Sequence, residues 1–125
     1  MTKHISLGRE GENKAADYLK KWGFKIIDRN FKIKFGEIDI IGTAKDKTLV
    51  FFEVKTMTKN AADYAGVRPE DQMTADKLRK FRKTAQFYAN KHRELVHKKG
   101  YRLDLITVLF PDFGDPAIGW YENIV

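Results

Sequence analysis

The stretch GEIDIIGTAKDKTLVFFEVKT, from Gly36 to Thr56, limits the fold more than any other part of the chain. It reads as two strands, Glu37 to Thr43 and Thr48 to Thr56, joined by a turn at Ala44 to Lys47, and so predicts a hairpin. Side chains two apart on a strand share a face. Leu49, Phe51, Glu53 and Lys55 therefore point one way, while Val50, Phe52 and Val54 point the other. The first of these faces changes character along its length. Leu49 and Phe51 suit a strand packed on a helix, whereas Glu53 and Lys55 bring a carboxylate and an ammonium to the same side. Glu37, Asp39 and Ile41 share a face of the preceding strand in the same way.

The flanking sequence supplies the other elements. Ser6 is placed to cap a helix that carries Ala15, Ala16, Leu19 and Trp22 at helical spacing and stops at Gly23. Phe24 to Asp28 suits an edge strand, followed by a turn or bulge at Arg29-Asn30. Lys59 to Asp71, with Gly66 and Pro69 and no periodicity, is expected to be the one long loop. Thr74 caps a second helix with Leu78, Phe81, Ala85, Tyr88, Ala89 and His92 on one face, ending near Gly100. Tyr101 to Phe110 and Ala117 to Glu122 read as strands separated by the Asp112 to Pro116 turn. This order predicts an α/β fold, a mixed central sheet of about five strands flanked by helices, with a crossover making at least one parallel pair.

A chain of 125 residues holds one core comfortably, so residues 1–125 are expected to be a single domain. The absence of cysteine excludes disulfides, thiolate catalysis and cysteine-containing zinc sites. No apolar run of about 18 residues occurs, and MTKHISLGRE lacks a signal-peptide core, so the expectation is a soluble cytoplasmic protein with no membrane partner. The formal charge of +7, from 24 Lys+Arg against 17 Asp+Glu, favours a polyanionic partner such as nucleic acid.

If Asp39 and Glu53 lie on the same side of the hairpin, two carboxylates meet at the margin of a core. Held together they repel, and a shared proton or a bound cation resolves the conflict. Mg²⁺ suits such a pair, because it takes one or two carboxylates and completes its shell with water and phosphate oxygens. Lys55 would face the same water or the scissile phosphate. Glu12 precedes Ala15, Ala16 and Leu19 by helical intervals, which puts a third acid on the buried face of the first helix, where a charge needs a partner. His4, His92 and His97 lack metal-ligand spacing, and His92 is expected to be a packed side chain. Asp104, alone in an apolar strand, is expected to pair with Arg102 or a neighbouring strand, and Trp120 and Tyr121 to lie in the core or at its rim.

The runs GREGENKAADYLKKWGFKIIDRNFKIKFGEIDIIG, LVFFEVKT, YAGVRPEDQMTADKLRK and YRLDLITV resemble, in order and over nearly the whole chain, the YraN-like family, also called UPF0102. That family is similar to restriction-endonuclease-like nucleases with a PD-(D/E)xK site, archaeal Holliday-junction resolvases in particular. The resemblance implies that Asp39, Glu53 and Lys55 are the motif's acids and lysine, and that Glu12 completes the site. It further implies that Lys77 and, with less support, Gln72 contact phosphate, while Lys34, Arg79 and Lys80, beside Lys32, Arg82 and Lys83, deliver the DNA backbone. Asp39, Glu53, the Val54 carbonyl and Glu12 would hold Mg²⁺ or Mn²⁺. Met57 stands where the family often has Arg, and Ile38 where the motif has Pro.

The implied activity is metal-dependent cleavage of DNA, on branched or repair-associated substrates. A resolvase would act as a homodimer, which no residue here establishes. Two other readings stay open, a non-catalytic nucleic-acid-binding module with a structural or vestigial metal, and a small α/β interaction protein with a basic surface.

Overall fold

The computed structural model describes residues 6–58, 73–97 and 100–124. The expected long loop, Gln72 and His4 lie outside them. Among the described residues the elements are α1 (Leu7–Lys21), β1 (Lys25–Ile33), β2 (Gly36–Thr43), β3 (Leu49–Thr58), α2 (Ala75–Lys91), a 3-10 turn (Arg93–Leu95), β4 (Tyr101–Phe110) and β5 (Ala117–Tyr121). The five strands lie in the order β1-β2-β3-β4-β5. Only β3 and β4 run parallel, joined by the crossover that contains α2, and the other neighbours are antiparallel. This is the mixed, helix-flanked sheet expected from the element order.

Each helix begins where a side chain satisfies a free backbone donor. Ser6 Oγ accepts from the Arg9 N–H at 3.2 Å, and Thr74 Oγ1 from the Lys77 N–H at 3.2 Å. The helices cover opposite faces of the sheet. Ala15, Ala16 and Leu19 of α1 bury Ile40, Val50, Phe52, Ile106 and Val108. Phe81, Ala85, Tyr88 and Ala89 of α2 bury Ile38, Ile41, Leu49, Phe51 and Leu103. The face of β3 that begins at Leu49 is thus packed on a helix, α2, as its residues require.

Three local expectations change. β1 does not stop at Asp28. Its register slips between Ile26 and Asp28, and it then continues through Arg29 and Asn30, because Arg29 bonds to α1 and Phe31 packs edge-on against Tyr88. Trp22 is exposed rather than buried, since it occupies the C-cap of α1, with its ring tilted against Tyr18. α2 ends at Lys91, where His92 leaves helical geometry (φ −129°, ψ 55°), and its partly exposed ring lies against Tyr88 with centroids 4.3 Å apart and Nδ1 3.7 Å from Glu94.

Asp104 is a structural residue. Fully buried on β4, it accepts from Arg102 Nε at 3.0 Å, from Trp120 Nε1 at 2.9 Å and from the Asn123 backbone N–H at 2.8 Å. Those bonds tie the end of the chain to the sheet and leave Trp120 free to pack against Phe24.

Candidate active site

The β2–β3 ladder is short. It runs from Thr43↔Leu49 to Ile40↔Phe52 and ends there. Beyond that point β2 stays with β1, through Ile38 and Glu37 to Gly36, while β3 stays with β4 as far as Thr58. The sheet forks, and a fork leaves backbone donors in search of partners. Asp39 meets that need: its Oδ2 accepts from the Val54 N–H at 2.8 Å. The same disturbance turns Ile38 toward α2 although Ile40, two residues on, faces α1.

Asp39 and Glu53 therefore stand at the crotch of the fork, one on each branch. Burial is the main cause that pushes the Asp39 carboxyl up to about 6; the Val54 bond opposes it, and the charges of Glu12 and Glu37 add to it. Glu53 is pushed further, to about 8, first by burial and then by the Asp39 charge, with Glu37 adding and Lys77 and Lys55 opposing. The Asp39 charge thus acts on Glu53 across the fork. Glu37, near the start of β2, acts on both of them.

A cleft of about 300 Å³ opens on Glu53, lined also by Glu12, Val54, Lys55, Thr56 and Lys77 and by Leu7 and Gly8 at the start of α1. Close packing of α1 on β3 forms its wall: a Cβ at Gly11 would collide with the Thr56 hydroxyl, so the helix can approach only because that residue is glycine. Lys77 reaches the cleft from the first turn of α2, and its charge acts on Glu53 more strongly than that of Lys55.

Glu12 has the partners that its buried-face position calls for, and they come from β1. Arg29 Nη2 lies 3.6 Å from its Oε1, and the Asn30 carboxamide, when assigned with its nitrogen toward Glu12, donates to both oxygens at 3.0 and 3.2 Å. Arg29 also donates to Asn13 Oδ1 at 2.8 Å. Asn30 adopts a left-handed backbone (φ 54°), which asparagine tolerates better than most residues. Sequence reasoning missed Arg29 and Asn30 as site supports; the polar Asp-Arg-Asn run between Ile27 and Phe31 was the available signal.

Among the described residues no three His, Cys, Asp or Glu side chains stand close enough together to enclose an ion. The acids are a pair with Glu12 in the cleft wall. That donor set fits a hard divalent cation that keeps part of its water shell, because such an ion needs only one or two carboxylates and an open approach. It does not fit a closed structural metal cage.

A second groove, of about 520 Å³, lies beside the first. It is lined by Lys32, Lys34, Phe35 and Glu37 from the β1–β2 hairpin and by Arg79, Lys80 and Lys83 from α2. Asp76 partly neutralises this bank, accepting from Arg79 at 2.6 Å and lying 3.4 Å from Lys80. The basic residues singled out in the sequence thus divide, Lys77 and Lys55 to the acid cleft and Lys34, Arg79 and Lys80 to the groove.

Comparison with known proteins follows the same chain order. The sequence profile described as "Uncharacterised protein family UPF0102" matches residues 11–108. The chain belongs to the UPF0102 family. A UPF0102 protein of Persephonella marina is 42% identical over 103 residues, 82% of each chain. Another UPF0102 protein, from Campylobacter concisus, is 39% identical over 111 residues, 89% of this chain and 90% of its own. A third, from Clostridium botulinum, is 46% identical over 105 residues, 82% of this chain and 79% of its own. Among solved structures, a repair endonuclease from Pyrococcus abyssi superposes with a TM-score of 0.37 at 18% identity. The match takes in 90% of this chain but 42% of that one, a likeness too distant to bear on fold or activity. In family terms the matched span contains every described candidate, Glu12, Asp39, Glu53, Lys55 and Lys77 included.

Proposed function

We propose that this member of the UPF0102 family is a metal-dependent endonuclease that hydrolyses DNA phosphodiester bonds. The observation that carries the reading is the fork itself, where Asp39 and Glu53 are both desolvated, one on each branch, and Glu53 opens with Lys55, Lys77 and Glu12 into a cleft. A binding module gains nothing from carboxylates aimed at phosphates, whereas a hydrolase needs them to hold a cation. Asp39 and Glu53, with the Val54 carbonyl and Glu12 nearby, would hold Mg²⁺ or Mn²⁺, which when bound polarises the phosphoryl group and acidifies a water.

The chain's own residues do the rest. The Val54 N–H fixes the Asp39 carboxylate, so that one oxygen is committed to the backbone and the other is left for the site. Burial keeps bulk water from screening the acids, which strengthens every charge interaction in the cleft. Lys55, two residues from Glu53, is placed to orient the attacking water or to meet the charge that develops on the phosphoryl oxygens. Lys77 opposes the Glu53 charge from the facing wall and offers a second cation to the substrate phosphate. Arg29 and Asn30 hold Glu12 in position. The groove lined by Lys32, Lys34, Lys80 and Lys83 supplies a track for the polyanionic backbone.

The test is cleavage of plasmid, single-stranded and four-way-junction DNA in Mg²⁺ and then Mn²⁺, comparing wild type with Glu53→Gln and Lys55→Ala. The expected result is a loss of at least ~100-fold in both variants with binding retained, on the scale of removing one electrostatic stabiliser. Should wild type cut no better than the variants while all bind DNA equally, a non-catalytic binding module replaces the nuclease.

A further inference from the structure

The turn between β1 and β2 is as short as a hairpin allows. Ile33 pairs with Gly36, which leaves Lys34 and Phe35 as the entire loop. Two-residue turns favour Asn, Asp and Gly, residues that adopt the required backbone at little cost. Here neither Lys34 nor Phe35 takes a left-handed backbone, so the turn calls for no particular side chain and does not explain their presence.

Phe35 is 45% exposed, and the residue it touches, Phe87 of α2, is 38% exposed. The two rings meet edge-on, with centroids 6.2 Å apart at 86°. Phe87 is steadied from behind by Phe31, 6.5 Å away at 30°, and by the Lys91 ammonium, 5.5 Å from its centroid. Phe31 is itself set by Tyr88 in the core, so a rigid aromatic stack leads from the core out to the hairpin tip. The cations of the second groove surround that tip: Lys32, Lys34, Arg79, Lys80 and Lys83. The groove adjoins the acid cleft along α2. Glu37 lines the groove and acts on both acids, and Lys77 and Lys80, about one turn apart on α2, face the cleft and the groove respectively.

A duplex presents phosphates outward and keeps its base faces covered by their neighbours. An exposed ring can stack only on a base whose own stack is broken. A groove built for duplex alone would use the lysines and leave Phe35 in water. We infer that Phe35, backed by Phe87, is a stacking platform for an unpaired base, and that the groove binds a single-stranded polynucleotide segment whose backbone lies along Lys32, Lys34, Lys80 and Lys83. This assigns the substrate class of the nuclease proposed above and rests on that reading for the role of the neighbouring acids. Binding at the platform needs no turnover.

The test is fluorescence anisotropy in EDTA with a labelled single-stranded DNA oligonucleotide, an RNA of the same sequence, and the blunt DNA duplex. Wild type should bind at least one single strand more tightly than the duplex. Phe35→Ala should weaken that binding by about tenfold, the scale of one lost base–aromatic stack, and Phe35→Trp should restore it. Duplex binding should be the same for Phe35→Ala and wild type. Lys83→Ala should weaken all three ligands and flatten their salt dependence. Phe87→Ala, checked for folding by its melting curve, should repeat the single-strand defect. If Phe35→Ala leaves single-strand binding unchanged, if it weakens duplex and single strand equally, or if wild type binds neither strand, the platform is overturned. Cleavage in Mg²⁺ separates the two readings. A chain that stacks single strands through Phe35 but cuts nothing keeps the platform and loses the nuclease. One that cuts blunt duplex through Glu53, indifferent to Phe35, keeps the nuclease and loses the platform.

Discussion

Replacing Glu53 with Gln isolates the electrostatic cost of setting two acids at the fork. In the metal-free protein, burial and the Asp39 charge push Glu53 from its ordinary 4.5 up to about 8. A folded-state pKa raised in this way means that the folded chain holds the proton more tightly than the unfolded chain does. The stability it contributes is complete below 4.5 and is lost as pH rises through about 8. The gap is roughly three and a half decades of proton affinity, or ~5 kcal/mol at ~1.4 kcal/mol per decade. Solvent screening of the partly exposed side chain lowers the expected effect to ~2–4 kcal/mol, which moves the melting temperature of a chain this size by ~10 °C. Asp39, pushed from 3.8 to about 6, adds a loss of the same sign over a lower window. The opposing groups are Lys55 on β3 and Lys77 on α2, and the reinforcing ones are Glu12 on α1 and Glu37 on β2.

Thermal melts in EDTA, taken in steps from acid to mildly alkaline pH, read this directly. Wild type and Glu53→Gln should coincide at the acid end, where both side chains are neutral, and diverge as pH rises, the variant becoming the more stable. Exchanging EDTA for Mn²⁺ at pH near 8 should raise the wild type, because the cation replaces the missing protons, and should leave Asp39→Ala unmoved. If Glu53→Gln tracks the wild type across the whole range, the two carboxylates are not held against each other and the reasoning from the fork fails.

Two further outcomes concern the frame around the site. Asp104→Ala strips the acceptor from Arg102, Trp120 and Asn123 inside a closed environment and should cost ~3–5 kcal/mol by denaturant melt; a loss under ~1 kcal/mol would show that water replaces it. Gly11→Ala should lower the melting temperature and depress cleavage together, because its methyl displaces α1 from Thr56 and with it Glu12; an unchanged melt would mean that Thr56 simply rotates aside.

The hairpin, both helix caps and the parallel pair were legible because each depends on neighbours in sequence: alternation in β3, Ser6 and Thr74 ahead of apolar stripes, and a crossover long enough for α2. Asp39, Glu53 and Lys55 stood out as candidates for a related reason, since charges in an apolar strand contradict the local pattern. The fork was not. It arises where β2 chooses β1 over β3, a competition between two ladders that no single segment records. Arg29 and Asn30 were obscured by their resemblance to a turn, and their contact with Glu12 joins positions far apart in the chain. Glu37 stands near the start of its strand, yet its charge reaches both acids, because at a fork the end of one strand lies close to the middle of the site.

The four-pair ladder between β2 and β3 is the β-pairing that joins two half-sheets, β1–β2 and β3–β4–β5. Asp39 belongs to the first and Glu53 to the second. The separation of the two acids is therefore a gauge set by how far that seam is zipped and how strongly the halves twist. For the cation proposed above, one more or one fewer rung at the Ile40–Phe52 end of the seam would change the size of ion that the pair fits.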